Sequence, residues 1–170
     1  TNFFSEIIAS VSDVQFTQDG RYIVARDYLT LKIWDINMES RPLQTINVHD
    51  HLRNKLCELY ESDCIFDKFE VAVSPDGRSY ATGSYSNYFN VHNRVPKNDI
   101  SIELSKNVDS SDPTAPQKRG NVATNSKPQK GRRKDHEGSD FSKKILHVDW
   151  HPSRNMIAVS GLNNLYLYEL

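Results

Sequence analysis

Two pairs of histidines come nearest to the spacing of metal ligands. His49 and His51 flank Asp50, and His147 and His151 follow later in the chain. On an extended strand, His49 and His51 would share a face but have no third ligand nearby in the sequence. His147 and His151 would lie roughly 13 Å apart on a strand, which is too far for one zinc ion. We therefore predict structural or surface roles for His49 and His51, and a hairpin turn at His151.

Other chemistry-bearing patterns are equally sparse. Cys57 and Cys64 do not make a disulfide framework, and we predict buried apolar thiols in a reducing, intracellular setting. The sequence contains no glycine-rich phosphate cradle, no nucleophile elbow and no HExxH motif. It therefore predicts no catalytic residue, no metal, no cofactor and no enzymatic activity in this chain.

The bulk composition restricts the class of protein. The chain has 170 residues with a net charge of −1, which suits one domain and gives no global attraction to nucleic acid or to an anionic membrane. Aromatic residues make up 10% of the chain, which favours β structure. No apolar stretch reaches the length of a membrane span. The start, "TNFFSEIIAS", lacks Met and does not resemble a signal peptide, so we expect a piece of a longer chain without membrane or nucleic-acid partners.

One strongly basic stretch stands apart from this neutral background. "KRGNVATNSKPQKGRRK", residues 118–134, holds seven Lys or Arg and no acidic residue. It reads either as a nuclear-import signal or electrostatic arm, or as a solvated loop. No aromatic residue interleaves the basic ones, which argues against single-stranded nucleic acid as a partner. The residues of a possible targeting segment are Lys127, Lys130, Arg132, Arg133 and Lys134, and the predicted location is cytoplasmic and nuclear.

The elements that must position any site come from a repeated unit. Residues 13–36, 69–94 and 146–170 each contain an alternating strand, a turn, an apolar strand, a polar turn and a second alternating strand. The first turns contain Asp-Gly or Pro, which is hairpin chemistry. The middle strands, "YIVA", "SYAT" and "MIAV", lack alternation and are predicted to be buried on both faces.

This pattern predicts an all-β fold of WD-repeat β-propeller blades, although only Trp34-Asp35 matches the signature literally. An unrelated antiparallel sandwich is the alternative. Leu52, Leu56 and Leu59 predict a short helix over about residues 52–60. The predicted organisation is an outer strand at 1–12, a blade at 13–50, a helical insertion at 51–68, blade strands at 69–97, a disordered polar and basic insertion at 98–140, and final blade strands at 141–170.

The chain resembles the B-type regulatory subunits of protein phosphatase 2A. The strings that carry the resemblance are "RDYLTLKIWD", "LYESDCIFDKF", "TGSYSNYFNV" and "DFSKKILHVDWHPSRNMIAVSGLNNLYLYEL". The resemblance implies a seven-bladed propeller, with this chain as its last two blades and the edge of a third. It also implies a non-catalytic subunit that binds a helical-repeat scaffold subunit and a metal-dependent catalytic subunit. The non-catalytic subunit would select phosphoprotein substrates, including those of mitotic exit.

Substrate contacts are predicted on the rim formed by the turns between second and third blade strands. Arg26, Asp27 and Tyr28 lie in the first of these turns, and Lys32 lies on the polar side of the strand that follows; all four are predicted substrate contacts. Asp27 could accept from a basic substrate side chain and Lys32 could donate to an acidic or phosphorylated one. Alternatively, Asp27 bonds its own blade and Lys32 is solvated. At the level of function, the alternatives are a WD-repeat scaffold of another assembly and a hydrolase or lyase built on a propeller.

Overall fold

The computed structural model describes residues 3–95, 99–104 and 140–170, and these form eleven strands and a few short helices. Helix α1 is Phe4–Ala9 and helix α2 is Leu56–Glu61, with 3₁₀ turns at Asp50–Lys55 and Cys64–Phe66. The strands are β1 Asp13–Phe16, β2 Tyr22–Arg26, β3 Thr30–Asp35, β4 Gln44–Asn47, β5 Val71–Val73, β6 Ser79–Gly83, β7 Tyr88–Asn93, β8 Ile100–Glu103, β9 Val148–Trp150, β10 Met156–Gly161 and β11 Asn164–Glu169.

The strands form three antiparallel sheets, each built from consecutive strands. Sheet 1 has the order β1-β2-β3-β4, sheet 2 the order β5-β6-β7-β8, and sheet 3 the order β9-β10-β11. The three repeated segments each supply the first three strands of one sheet. The prediction of a repeated three-stranded unit is thus confirmed. The chain forms two four-stranded sheets and one three-stranded sheet, rather than two blades and the edge of a third blade.

The first turn of each unit is fixed by a side chain that accepts backbone hydrogens. The Asp19 carboxylate accepts from the Arg21 amide at 3.0 Å, and Gly20 takes the positive φ of 67° that the turn requires. The second unit repeats this geometry around Asp76 and Gly77. In the third unit, His151 Nδ1 accepts from the amides of residues 153 and 154, both at 3.1 Å. The predicted turn role of His151 is therefore confirmed.

The core lies between the sheets. Between sheets 1 and 2 the buried side chains are Val24, Leu31, Ile33, Val71 and Tyr80. Between sheets 2 and 3 they are Ala72, Ala81, Phe89, Val91, Leu104, Ile145, Val148, Trp150, Ile157 and Val159. The middle strand β6 is almost wholly buried, as predicted. Strands β2 and β10 are only half buried, because no sheet among the described residues covers their outer faces.

Two predicted boundaries are wrong. The sequence predicts an outer strand at residues 1–12, but Phe4–Ala9 is a helix, because Phe4, Ile7 and Ile8 follow helical spacing and pack on the helical insertion. It predicts a polar insertion from residue 98, but Ile100–Glu103 forms β8 and pairs with β7. The helical insertion itself is confirmed. The remainder of the polar insertion, residues 105–139, lies outside the described residues.

The two ends of the stack carry exposed apolar side chains. On sheet 1, Val14 is 49% and Phe16 62% exposed, on the face turned away from sheet 2. On sheet 3, Leu165 is 71% and Leu167 50% exposed, while the alternate residues of β11 pack toward sheet 2. Apolar faces of this kind are normally covered by a neighbouring sheet.

We predict that this chain expressed alone self-associates through these two faces. Sedimentation velocity should show mass increasing with concentration, because association removes apolar surface from water. Leu165→Lys combined with Leu167→Lys should reduce the association, whereas Ile36→Lys, at an exposed turn residue, should not. A monomeric wild-type chain with a sharp, reversible thermal transition would contradict the prediction.

Candidate functional site

The turns between the second and third strands of each sheet and several longer connections lie at one edge of the three sheets, which we call the loop face. It consists of α1, the turns 27–29, 84–87 and 162–163, the helical connection 48–70, and residues 140–147. Backbone bonds tie these segments together: the Tyr28 amide donates to the Ile8 carbonyl at 3.3 Å, and the Ile145 amide to the Ser84 carbonyl at 2.9 Å. The loop face is therefore one continuous surface fixed to all three sheets.

The turn 84–87 also holds both sides of the chain segment between β8 and β9. The Leu104 amide donates to the Asn87 carbonyl at 2.9 Å, and Leu104 itself is buried. On the other side, the Asp140 amide donates to Ser86 Oγ at 3.0 Å. Residues 104 and 140 are therefore anchored at the same turn.

The helical connection presents a buried side and a solvent side. Leu52, Leu59, Ile65 and Phe69 are buried against the turns of sheets 1 and 2. Asp63, in the left-handed region with φ of 60°, ends α2 and starts the following 3₁₀ turn. The chain changes direction at Asp63, and the next aromatic residue, Phe66, is exposed.

An exposed aromatic cluster covers the solvent side of this connection. Phe3 is 65%, Phe66 48% and Tyr60 41% exposed. The ring centroids are 5.5 Å apart for Phe3 and Tyr60, 5.9 Å for Tyr60 and Phe66, and 6.0 Å for Phe4 and Tyr60. We call Phe3, Phe4, Tyr60 and Phe66 the aromatic cluster. Rings held together in water, at spacings favourable for edge contacts, form a ready surface for an apolar partner.

Acidic side chains lie on the same helices as the aromatic cluster. Glu6 is on α1, Glu58 and Glu61 are on α2, and Asp63 follows α2, and all four are exposed. Within the described ranges, none of these carboxylates has an ion-pair partner. The nearby Lys68 donates to Ser10 Oγ at 3.2 Å. The surface therefore combines apolar rings with excess negative charge, which suits a segment carrying apolar and basic side chains.

Beneath this surface, the joint between sheets 1 and 2 is a buried polar hub. Arg26 is fully buried, and its guanidinium donates to Thr82 Oγ1 at 3.1 Å and to the carbonyls of Asp27 and Thr30 at 2.7 and 3.2 Å. It also lies 5.4 Å from the Phe69 ring centroid. Burial lowers the pKa of Arg26 to about 10, so the side chain stays charged at neutral pH.

His49 completes the hub and is also fully buried. Its Nδ1 lies 2.9 Å from the Tyr28 carbonyl oxygen and 3.3 Å from Arg26 Nη2. Its Nε2 lies 2.8 Å from Ser84 Oγ. Burial, reinforced by the charge of Arg26, holds the pKa of His49 well below its usual range. The predicted structural role of His49 is confirmed, and the imidazole is neutral.

The predicted rim residues are mostly engaged inside the chain. Asp27 is 5% exposed, and its carboxylate accepts from the amides of Leu29 and Thr30 at 3.0 and 2.7 Å and forms an ion pair with Lys32. Burial acts to raise the pKa of Asp27, but the hydrogen bonds from Lys32 and Thr30 outweigh it and hold this pKa below its usual value. The buried Tyr28 hydroxyl lies 2.8 Å from that of Tyr85. Asp27 thus bonds its own blade, and only the Lys32 side chain, 34% exposed, faces solvent.

The other predicted residues are scattered. Cys64 is buried, as expected, but Cys57 is exposed on the solvent side of α2, so the prediction of a buried thiol is wrong there. His147 is exposed and lies 2.9 Å from Glu70 Oε1. Across the described part of the chain, no three His, Cys, Asp or Glu side chains gather closely enough to hold a metal. No described helix is long and apolar enough to cross a membrane. The basic residues 127–134 lie outside the described residues.

Sequence reasoning missed the aromatic cluster. Its signals were present: Phe4, Ile7 and Ile8 at helical spacing, and Tyr60 and Phe66 on the polar side of an amphipathic segment. What could not be read from the sequence is that α1 and α2 bring Phe3 and Tyr60 together from distant parts of the chain.

We predict that His49 makes the full-length protein less stable in acid. Because the pKa of His49 in the folded state lies below the unfolded value of about 6.5, the unfolded chain takes up a proton first as pH falls. The free energy of unfolding should then drop by up to about 1.4 kcal/mol per pH unit below about pH 6.5. Thermal midpoints between pH 8 and 5 measure this, with His49→Asn as the variant.

His51→Asn is the matched control, because His51 is exposed two residues away. His49→Asn should lower stability at pH 8 but flatten the loss in acid. An unchanged acid slope in His49→Asn would show that another group is responsible.

The sequence is similar to curated regulatory subunits of a protein phosphatase. It is 52% identical over 171 residues to the beta isoform of the 55 kDa regulatory B subunit of serine/threonine-protein phosphatase 2A from Carassius auratus. It is 51% identical over 171 residues to the corresponding gamma isoforms of Rattus norvegicus and Mus musculus. Each match covers 99% of this chain and 37% of the relative, so the chain spans little more than a third of their length. No family model matches the sequence.

The fold is similar to solved β-propellers. The β-propeller domain of Myceliophteria thermophila Cps50 (Swd1) aligns with a TM-score of 0.52 at 11% identity, covering 94% of this chain and 38% of that chain. The structure of U3-55K aligns with a TM-score of 0.53 at 10% identity, covering 95% of this chain and 36% of that chain. These likenesses concern the fold alone, and they confirm the predicted propeller blades.

Proposed function

The chain belongs to the family of 55 kDa regulatory B subunits of protein phosphatase 2A, and we propose that it acts within a non-catalytic regulatory subunit that binds phosphoprotein substrates. Its partners in this proposal are a helical-repeat scaffold subunit and the phosphatase catalytic subunit, which supplies the chemistry. Substrates of mitotic exit are included, as the resemblance implies. The chain contributes a binding surface and the fold that holds it.

The observation that carries this proposal is the exposed aromatic cluster with its acidic surroundings. Large aromatic side chains in well-fixed positions are typical anchors of protein interfaces. The cluster is fixed because α1 and the helical connection pack through Ile7, Ile8, Leu52 and Leu59 onto the sheets. Glu6, Glu61 and Asp63 add negative charge around it, which favours a substrate segment with basic residues beside an apolar anchor.

We predict that Tyr60→Ala and Phe66→Ala each weaken substrate binding by the full-length subunit. The expected loss is roughly tenfold or more in Kd, because truncating an aromatic hot-spot residue costs about 2 kcal/mol or more and about 1.4 kcal/mol is tenfold. Binding of a phosphoprotein substrate to the assembled phosphatase complex measures the effect. Leu43→Ala is the control, since Leu43 is an exposed apolar residue next to β4 and outside the loop face.

The acidic residues provide a second arm of the same test. Glu6→Lys combined with Glu61→Lys should weaken binding and reduce its dependence on salt, because the attraction for basic residues is removed. Unchanged substrate binding in both aromatic variants, with the complex intact, would show that substrates bind elsewhere. Failure of the unmodified subunit to co-purify with a phosphatase catalytic chain would favour the alternative, a WD-repeat scaffold of another assembly.

Lys32 is the predicted rim residue that we retain as a substrate contact. Its side chain is 34% exposed, and within the described part of the chain its ammonium group pairs with the Asp27 carboxylate alone. Lys32→Glu should weaken capture of acidic or phosphorylated segments by roughly 1–3 kcal/mol if the contact is desolvated. Because the new carboxylate would also face Asp27, Lys32→Met is the control for loss of charge alone. Equal substrate capture by wild type and Lys32→Glu would remove Lys32 from the site.

The basic segment has a separate proposed role. Residues Lys127, Lys130, Arg132, Arg133 and Lys134 would serve as a targeting signal in a protein located in the cytoplasm and the nucleus.

A further inference from the structure

We propose that Asp67, held by Tyr85 and Lys144, is a positioning residue that sets the orientation of the aromatic cluster for substrate binding. This inference rests on the recognition function proposed above. Asp67 directly follows Phe66, and its carboxylate is where the helical connection, sheet 2 and the segment before β9 meet. The side chain itself is nearly buried and takes no part in the exposed surface.

The first contact of Asp67 is with the buried hydroxyl of Tyr85. Tyr85 Oη lies 2.8 Å from Asp67 Oδ2, 2.9 Å from the Cys64 carbonyl and 2.8 Å from Tyr28 Oη. Because a carboxylate and a carbonyl only accept, the one hydroxyl hydrogen of Tyr85 is shared between them in a three-centre bond, and Tyr28 donates to Tyr85. The residues at both ends of the 3₁₀ turn Cys64–Phe66 are therefore hydrogen-bonded to the hydroxyl of Tyr85, in the turn between β6 and β7.

The second contact is an ion pair with Lys144. Lys144 Nζ lies 2.6 Å from Asp67 Oδ1, and the two side chains are 33% and 10% exposed. A pair this sheltered is less screened by salt than a surface pair, and the cation compensates the charge of the nearly buried carboxylate.

The backbone that carries Lys144 is itself fixed against sheet 2. The following amide, of Ile145, donates to the Ser84 carbonyl at 2.9 Å. Gly83 allows this approach, since a Cβ on Gly83 would lie 1.9 Å from the Ile145 carbonyl oxygen. Lys144 therefore reaches Asp67 from a backbone position that is fixed. The ion pair orients the Asp67 carboxylate as well as stabilising it.

The positioning role of Asp67 differs from that of the apolar residues that attach the helical connection to the core. Leu59 and Ile65 already bury the inner side of the helical connection, which secures its attachment. Asp67 acts instead on the rotation of the turn that bears Phe66, whose ring lies 5.9 Å from that of Tyr60. Loss of the ion pair should therefore disorder the cluster without detaching the connection.

The test uses the full-length subunit assembled with its phosphatase complex. Lys144→Met should raise KM for a phosphoprotein substrate roughly three- to tenfold with kcat unchanged, because binding is weakened and the chemistry is not. Lys144→Arg should restore KM by renewing the ion pair. Lys143→Met is the matched control, because the neighbouring Lys143 pairs with the exposed Asp140 and not with Asp67 among the described residues. With 4-fluorophenylalanine at position 66, the fluorine resonance should broaden or split in Lys144→Met only.

A Phe66→Ala background separates this inference from the proposed function. There, adding Lys144→Met should cause no further rise in KM, since the two changes act through one contact surface. If Phe66→Ala raises KM but Lys144→Met does not, the positioning role is wrong and the recognition surface stands. If neither Phe66→Ala nor Tyr60→Ala raises KM, substrates bind elsewhere and the recognition surface proposed above fails. Equal loss of complex assembly and substrate binding in Lys144→Met would also overturn the inference, because it would show a purely structural role.

Discussion

The structure depends on how the buried charge of Arg26 is compensated. An unpaired guanidinium in the interior would be too costly to tolerate, so it must be held by hydrogen bonds. Arg26 donates to Thr82 of sheet 2 and to two carbonyls of its own turn, and its Nη2 lies 3.3 Å from His49 Nδ1. Thr82 Oγ1 donates in turn to the Glu70 carbonyl at 2.7 Å. One side chain therefore fixes the angle between two sheets, the shape of the rim turn and the end of the helical connection.

The loop face is ordered by its contacts with this interior. His49 links the same hub to Ser84, whose carbonyl holds the segment that carries Lys144. Polar networks that are fully satisfied restrict a protein to one arrangement, whereas apolar contacts alone allow sliding. Apolar packing attaches the helical connection to the sheets, and buried polar groups fix its orientation. The rings of the aromatic cluster stay exposed.

The sequence predicts correctly the features that depend on local chemistry. The Asp-Gly turn at Gly20 and the helical spacing within residues 52–60 carry their own signals, and both predictions are confirmed. The prediction for Phe4–Ala9 is wrong because its apolar residues also suit a strand edge, and only packing on a distant helix decides between the two. The charge of Arg26 predicts a surface position, since the partners that permit its burial come from another sheet.

The anchoring of residues 104 and 140 at one turn has a consequence for how this family can diversify. A chain segment whose two ends are fixed at the same place can change in length at little cost, because loop-closure entropy grows only slowly with length. Sequence between those anchors can therefore be gained, lost or exchanged in evolution without altering the register of any strand. Relatives of this chain can therefore differ in the length of this one segment while all three sheets keep the same strand pairing.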